Sequence, residues 1–195
     1  MKDRTASALN LRGDTRYIDD LPVPADCLQA AVKLSESARG RILGIDAASA
    51  LALDPSVRVI TARDVPGINQ IGFSVPDEPL LPENEWEYWG QPLVLVLAAT
   101  RSLARRAAAL VEVKGEPLPA VFDAREAAAA KQFILPAQTI VSGDVEAAFA
   151  ACAHVVSGRA DSGGQEHVYL ETQGAYAEIR EGGKAFVISS TQGPT

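Results

Sequence analysis

"QPLVLVLAATRSLARRAAALVEV", residues 91–113, reads as a strand, a helix and a second strand. Its first half is a nearly continuous apolar run, the pattern of a strand buried on both faces. Thr100 follows at the helix N-cap, where a hydroxyl accepts from an otherwise orphaned backbone N–H. Behind it Leu103, Ala107, Leu110 and Val111 recur at helical spacing, which predicts a face laid against a sheet. The alanines on that face are small enough to let helix and sheet approach closely. The segment "VEVKGEPLPAVFD" then returns as a strand with a Pro-rich exit.

Strands and a short helix extend this unit on its N-terminal side. "CLQAAVKLS" and "GRILGID" read as strands, "DAASALALD" as a short helix with Asp46 available to cap it, and "VRVITA" (57–62) as a β-branched strand. Residues 63–85 hold four prolines and little periodicity, a long loop of the kind that is functional or interfacial when ordered. Residues 1–26 are dominated by polar residues and turn formers, including an Arg12-Gly13-Asp14 tripeptide read as a chance turn.

Beyond 113 the character changes. Asp123 and Glu126 stand at capping-box spacing before an alanine run, and "KQFILPAQTIVSGD" reads as extended linker. A short amphipathic helix with Asp144 at its start follows, then β-type segments, "HVVSGRA" and "TQGAYAEIREGGKAFVISS". Gly182-Gly183 is a two-residue hairpin signal. That turn pairs Glu181 with Lys184, Ile179 with Phe186 and Ala177 with Ile188, giving one apolar face and one with Tyr176, Glu178 and Arg180. The apolar face needs a cover, and the expectation is a second unit that is cut off.

Composition narrows the function. The 195 residues carry a net charge of -7, and with 47% hydrophobic residues they can bury a core. No basic stripe offers a nucleic-acid groove, since the cations are scattered apart from Arg105-Arg106. No signal peptide and no membrane-length apolar run appear, so a cytoplasmic location and no membrane partner are expected. Cys27 and Cys152 are expected to be free thiols.

Chemistry concentrates in "DSGGQEHVYLETQ", residues 161–173. Cys152, His154, Glu166 and His167 could be tried as metal ligands, with Cys152 and His154 on one face of a strand, but the spacing matches no zinc pattern. Two cysteines cannot supply the four thiolates of an ordinary iron–sulfur cluster. Neither G-x-G-x-x-G nor a P-loop occurs. For the stretch itself two readings stand. One is a Gly-Gly bend entering a strand with Glu166 and His167 on its solvated face. The other is a backbone made open by glycine to a bulky ligand, beside an uncharged amide that can donate and accept.

"GDTRYIDDLPVP", "ARGRILGID", "GQPLVLVLAAT", "ARRAAALVEV", "LPAVFDAREA", "SGDVEAAF", "GGQEHVYLETQGA" and "SSTQGP" occur in that order. In this the chain resembles the N-terminal part of the molybdopterin-binding subunit of the xanthine dehydrogenase and aldehyde oxidase family, the molybdenum hydroxylases. "GGQEHVYLET" looks more like the xanthine dehydrogenases than like carbon monoxide dehydrogenases or 4-hydroxybenzoyl-CoA reductases. The resemblance implies an α+β fold: a tail over 1–12, an α/β-hammerhead domain over 13–125, a linker over 126–140 and the beginning of a molybdopterin-binding domain over 141–195.

The resemblance also implies a site. In the family, the glutamine of this motif lies beside the molybdenum and hydrogen-bonds an oxygen ligand of the metal. Here it is Gln165, preceded by Gly163 and Gly164; Glu166 and His167 belong to the motif without an assigned role. The family's general base and substrate-orienting residues are expected beyond residue 195, so no catalytic residue lies within this chain. The parent is expected to hydroxylate a purine or related heterocycle in purine catabolism, with water as oxygen source. Its electrons would pass to iron–sulfur clusters and FAD on partner chains or domains. The isolated chain is expected to hold no cofactor and to be inactive. The alternative is a non-catalytic hammerhead module that docks a redox partner.

Overall fold

The computed structural model describes residues 6–73 and 75–193. They divide into two units, one running to Ala120 and including the residues from Gln173 onward, the other Val121–Thr172.

In the first unit the elements are α1 (Ala6–Arg12), β1 (Gln29–Leu34), β2 (Gly40–Asp46), α2 (Ala48–Leu51) and β3 (Arg58–Ile60). They continue with β4 (Glu85–Trp86), β5 (Pro92–Ala98), α3 (Arg101–Leu110), β6 (Glu112–Pro117), β7 (Ala175–Arg180) and β8 (Lys184–Ser189). Helix α1 lies inside the stretch expected to be a tail. Its last residue, Arg12, pairs with Asp14 at 2.9 Å across Gly13, whose φ of +70° only glycine adopts readily. The expected Arg-Gly-Asp turn is therefore the exit of a helix.

Three sheets carry the fold, ordered β1-β5-β3, β4-β2-β6 and β7-β8, and every pairing is antiparallel. β5 is the centre of the first sheet, as its apolar run predicted. Val94, Val96 and Ala98 are fully buried in the cluster that also holds Ala104, Ala107, Ala108 and Val111. Thr100 accepts from the Leu103 N–H at 3.2 Å, the predicted cap. The buried stripe of α3 differs from the expected one. Ala104, Ala107 and Ala108 lie inward while Leu110 is 41% exposed. Close packing on the sheet selects the methyl groups, because a leucine there would hold the helix away. Asp46 accepts from the Ala48 N–H at 3.0 Å, one residue before the N-cap position held by Ala47.

The second sheet is organised around Trp86, which is 6% exposed. Its indole N–H donates to the Ser37 carbonyl at 3.0 Å, and its ring lies over Gly40 and Gly115. Opposite charges line the outer face: Arg41 meets Glu85 at 3.4 Å and Glu116 at 3.6 Å, its cross-strand neighbours. Exposed pairs of this kind add little each.

The β7–β8 register is one residue away from the expected one. Arg180 pairs with Lys184, Ile179 with Ala185, Glu178 with Phe186 and Tyr176 with Ile188. The connection is therefore three residues, Glu181-Gly182-Gly183, with both glycines at positive φ. A one-residue slip moves a strand's whole apolar set to the other face. Phe186 and Ile188 consequently join Tyr176 and Glu178 on the half-buried face, while Ile179 and Val187 stand exposed.

The second unit contains α4 (Ala124–Ala129) and α5 (Val145–Ala151), each capped by its aspartate; for α4 only the Asp123 half of the expected capping box is formed. Asp123 accepts from Arg125 and Glu126, and Asp144 accepts from Ala147 at 2.9 Å. The segment "HVVSGRA" forms no strand; β-branched residues make a strand only where a partner completes the ladder. Among the described residues no helix is long and apolar enough to cross a membrane.

Candidate functional site

Residues 152–172 carry Gly163, Gly164 and Gln165 on exposed chain without regular secondary structure. The expected glycine bend entering a strand is absent there. Neither Gly163 nor Gly164 has a positive φ, and a Cβ built on either meets nothing within 4 Å. Nothing among the described residues therefore requires glycine at these two positions. Gln165 follows them with its amide exposed.

Neighbouring side chains make local contacts. Glu166 accepts from the His167 N–H at 3.0 Å, and the His167 ring stacks on Tyr169 with centroids 5.4 Å apart and planes at 13°. Val168 between them is at φ +52°, a conformation that a β-branched residue rarely adopts. Cys152 is the C-cap of α5, its thiol donating to the Ala148 carbonyl at 3.3 Å, and His154 lies on exposed coil. The strand that would have put those two on one face does not form. Cys27 and Cys152 are free thiols. Among the described residues no group of three or more His, Cys, Asp and Glu side chains is placed to hold a metal ion.

The first unit has its own polar cluster, on β7 and β8. The Tyr176 hydroxyl donates to Glu178 Oε2 at 2.6 Å, Arg180 Nε donates to the other carboxylate oxygen, and the Arg180 guanidinium lies 3.4 Å over the Phe186 ring. Tyr176, Glu178 and Arg180 share a face as the alternation predicted. Phe186 joins them only because of the slipped register. The bond to Glu178 pushes the phenol of Tyr176 up to about 12, and the same bond with that from Arg180 holds the Glu178 carboxyl low. A raised folded value means that stability from this bond is present below the ordinary tyrosine value near 10 and is lost as pH climbs toward 12. Absorbance titration at alkaline pH should show Tyr176 ionising above the ordinary tyrosine value near 10. Glu178→Gln should bring that ionisation down in pH, and an unchanged titration would contradict the pairing.

With this geometry in place, comparison with known proteins identifies the fold. Residues 12–119 match the family model for the aldehyde oxidase and xanthine dehydrogenase a/b hammerhead domain, and residues 127–195 that for the molybdopterin cofactor-binding domain. The chain belongs to the aldehyde oxidase and xanthine dehydrogenase family. It is 39% identical over 193 residues to xanthine dehydrogenase 1 of Arabidopsis thaliana, covering 97% of this chain and 14% of that protein. Aldehyde oxidase 2 of Macaca fascicularis is 36% identical over 162 residues, 83% of this chain and 12% of its own length. Among solved structures, the aldehyde oxidoreductase from Desulfovibrio gigas matches with a TM-score of 0.81 at 30% identity, over 95% of this chain and 23% of that one. Quinoline 2-oxidoreductase from Pseudomonas putida 86 matches with a TM-score of 0.77 at 29% identity, over 98% of this chain and 26% of that one. The chain thus spans about one seventh of the curated relatives it matches.

Hammerhead residues are accordingly those of the first sheets and α3, and Gly163, Gly164 and Gln165 fall within the match to the cofactor-binding domain. What they offer fits one outer contact to an oxygen-rich cofactor: a neutral amide reached over an open glycine backbone.

Proposed function

We propose that this chain is part of a molybdenum-cofactor oxidoreductase that hydroxylates a purine or related N-heterocycle with water as oxygen source. Gly163, Gly164 and Gln165 would be its contact with the cofactor. The observation that carries the reading is the match of residues 127–195 to the molybdopterin cofactor-binding domain, within which the three lie. The glycine pair is compatible with it, since an open glycine backbone lets a bulky group approach closely. When bound, the molybdenum cofactor supplies the two-electron redox chemistry. Gln165 would hold it by an amide N–H that stays uncharged at every working pH. Its donor and acceptor can thus orient the cofactor without altering its charge state.

The wider reading places iron–sulfur clusters and FAD on partner chains or domains as electron carriers, in a cytoplasmic enzyme of purine catabolism. It divides the chain into a hammerhead domain over 13–125, a linker over 126–140 and the cofactor-binding domain from 141. The purine substrate is supported by the 39% identity to a xanthine dehydrogenase across nearly the whole chain. Quinoline and aldehyde oxidoreductases among the structural relatives supply the competitors. Reduction of an artificial acceptor by xanthine, quinoline and benzaldehyde should be compared in the full-length protein, with molybdenum content measured. Molybdenum-dependent turnover of xanthine above the other two is expected. Turnover of the aldehyde alone would overturn the purine assignment. A protein without molybdenum or turnover would leave the docking module as the better account.

A further inference from the structure

The β7–β8 hairpin belongs to the first unit, although its residues fall within the match to the cofactor-binding domain. An isolated two-stranded hairpin is marginal in water, so its stability has to come from a cover. The N-terminal segment supplies one. Tyr17, Ile18 and Leu21 are half-buried, while most of the residues around them are exposed. Ile18 opens a single 3-10 turn, Ile18–Asp20. The turn is held by the Tyr17 N–H, which donates to the Asp20 carboxylate at 2.9 Å, and by the Leu21 N–H, which donates to the Ile18 carbonyl at 3.2 Å. It sets Ile18 against the base of the hairpin, where a Cβ built on Gly174 would stand 3.1 Å from Ile18 Cγ2.

Gly174 also ties that base together. Its N–H donates to the Ser190 hydroxyl at 2.9 Å, and its carbonyl accepts from the Ser190 N–H and from the Ser189 hydroxyl, each at 3.0 Å. Beyond it Tyr176, Glu178, Phe186 and Ile188 form the half-buried face. Cys27 reaches this face as well: after the larger contribution of Glu178, it adds to the raised value of the Tyr176 phenol. Ile18 lies within the hammerhead match and Gly174 within the cofactor-binding match. The contact therefore joins two regions that the family models separate.

We propose that residues 17–27 are a clasp, seated through Ile18 on Gly174, that fastens the hairpin to the first unit. Both ends of the 121–172 segment are then held on one body, because β6 ends at Pro117 and β7 begins at Ala175. The segment carrying Gln165 leaves that body and re-enters it. It can change conformation without opening the sheets or the hairpin. For the cofactor this consequence rests on the contact proposed for Gln165; the clasp does not.

Amide exchange in the full 195-residue chain, resolved by residue with NMR, tests the clasp without any cofactor. In the unaltered chain the ladder amides of β7 and β8 should exchange at least about a hundredfold more slowly than free coil. Ile18→Asp should speed them by about tenfold or more while leaving β5 unchanged. Ile18→Ala is the milder second variant and should act in the same direction. Gly174→Ala presses a methyl group on Ile18 and should speed them too, an effect that should disappear in the Ile18→Ala background. Ile68→Asp, at a position 90% exposed, is the control and should change nothing. An unprotected hairpin in the unaltered chain overturns the proposal. So do equal rates in Ile18→Asp and the control, or equal acceleration of β5 and the hairpin by both Ile18 variants. A failed cofactor contact would leave all of these rates untouched, so the two readings fail separately.

Discussion

Gln165→Ala in the full-length protein should slow substrate oxidation by roughly ten- to a hundredfold, while folding and expression stay as they were. A hydrogen bond to a charged or strongly polarised group contributes about 1.5–3 kcal/mol, and each 1.4 kcal/mol is a factor of ten in rate. The side chain is exposed on coil in this chain, so its removal opens no cavity. Glu166→Ala next door is the internal control. Its carboxylate is already engaged with the His167 N–H, and its loss should change the rate far less. Rates must be normalised to molybdenum content, since cofactor loss would imitate a catalytic defect. A Gln165→Ala enzyme as fast as wild type would reduce residues 161–172 to an ordinary loop.

The hammerhead part was legible because its signals are local. The run Leu93–Ala98 reads as an interior strand and Thr100 caps the helix that follows; beyond the hammerhead match, Asp123 and Asp144 cap their helices in the same way. In the α3 stripe Ala107 and Val111 are buried as expected and Leu103 packs against the core. Leu110 is exposed, however, and Ala104 and Ala108 lie inward, since the sequence reading weights leucine over alanine. The packing follows the i, i+3, i+4, i+7 series of Ala104, Ala107, Ala108 and Val111, where small size matters more than apolar area. The hairpin register failed for a different reason. Glu181 joins the turn, and sequence alone does not separate a two-residue from a three-residue connection when two glycines are present.

The site was less legible than the fold. A neutral amide after two glycines on exposed chain has the same residue chemistry whether it meets solvent or a cofactor. The cofactor reading rests on the order of motifs along the chain, not on any feature of residues 161–173 by themselves. The structure then added one independent fact, that neither glycine is needed for φ or for internal packing. The Tyr176–Glu178–Arg180 face could be read from alternation, but its fourth member, Phe186, depended on the register.

The largest effect on stability is expected at Trp86. Trp86→Ala removes a ring that is 6% exposed and fills the space over Gly40 and Gly115, and large aromatic truncations of this kind cost about 3–5 kcal/mol. The Ser37 carbonyl and hydroxyl that receive the indole N–H lose that donor as well. The other tryptophan gives the contrast. Trp89 is 71% exposed, and Trp89→Ala should shift stability by no more than about 0.5 kcal/mol. The glycine beneath the ring supplies a sharper test than either truncation. A Cβ on Gly115 would stand 2.7 Å from Trp86 Cζ3, so Gly115→Ala in the native protein should cost about 1–3 kcal/mol through overpacking. Gly115 has no positive φ, but a Cβ there still stands 3.0 Å from the Arg41 carbonyl oxygen once the ring is gone. In the Trp86→Ala background the same change should therefore cost less than in the native protein, about 1 kcal/mol or less, the tight backbone contact remaining and the smaller entropy of the unfolded chain partly offsetting it. Denaturant midpoints of the four proteins in this cycle measure the coupling directly. Strictly additive effects would mean that the ring does not rest on Gly115 and that something other than Trp86 holds the second sheet together.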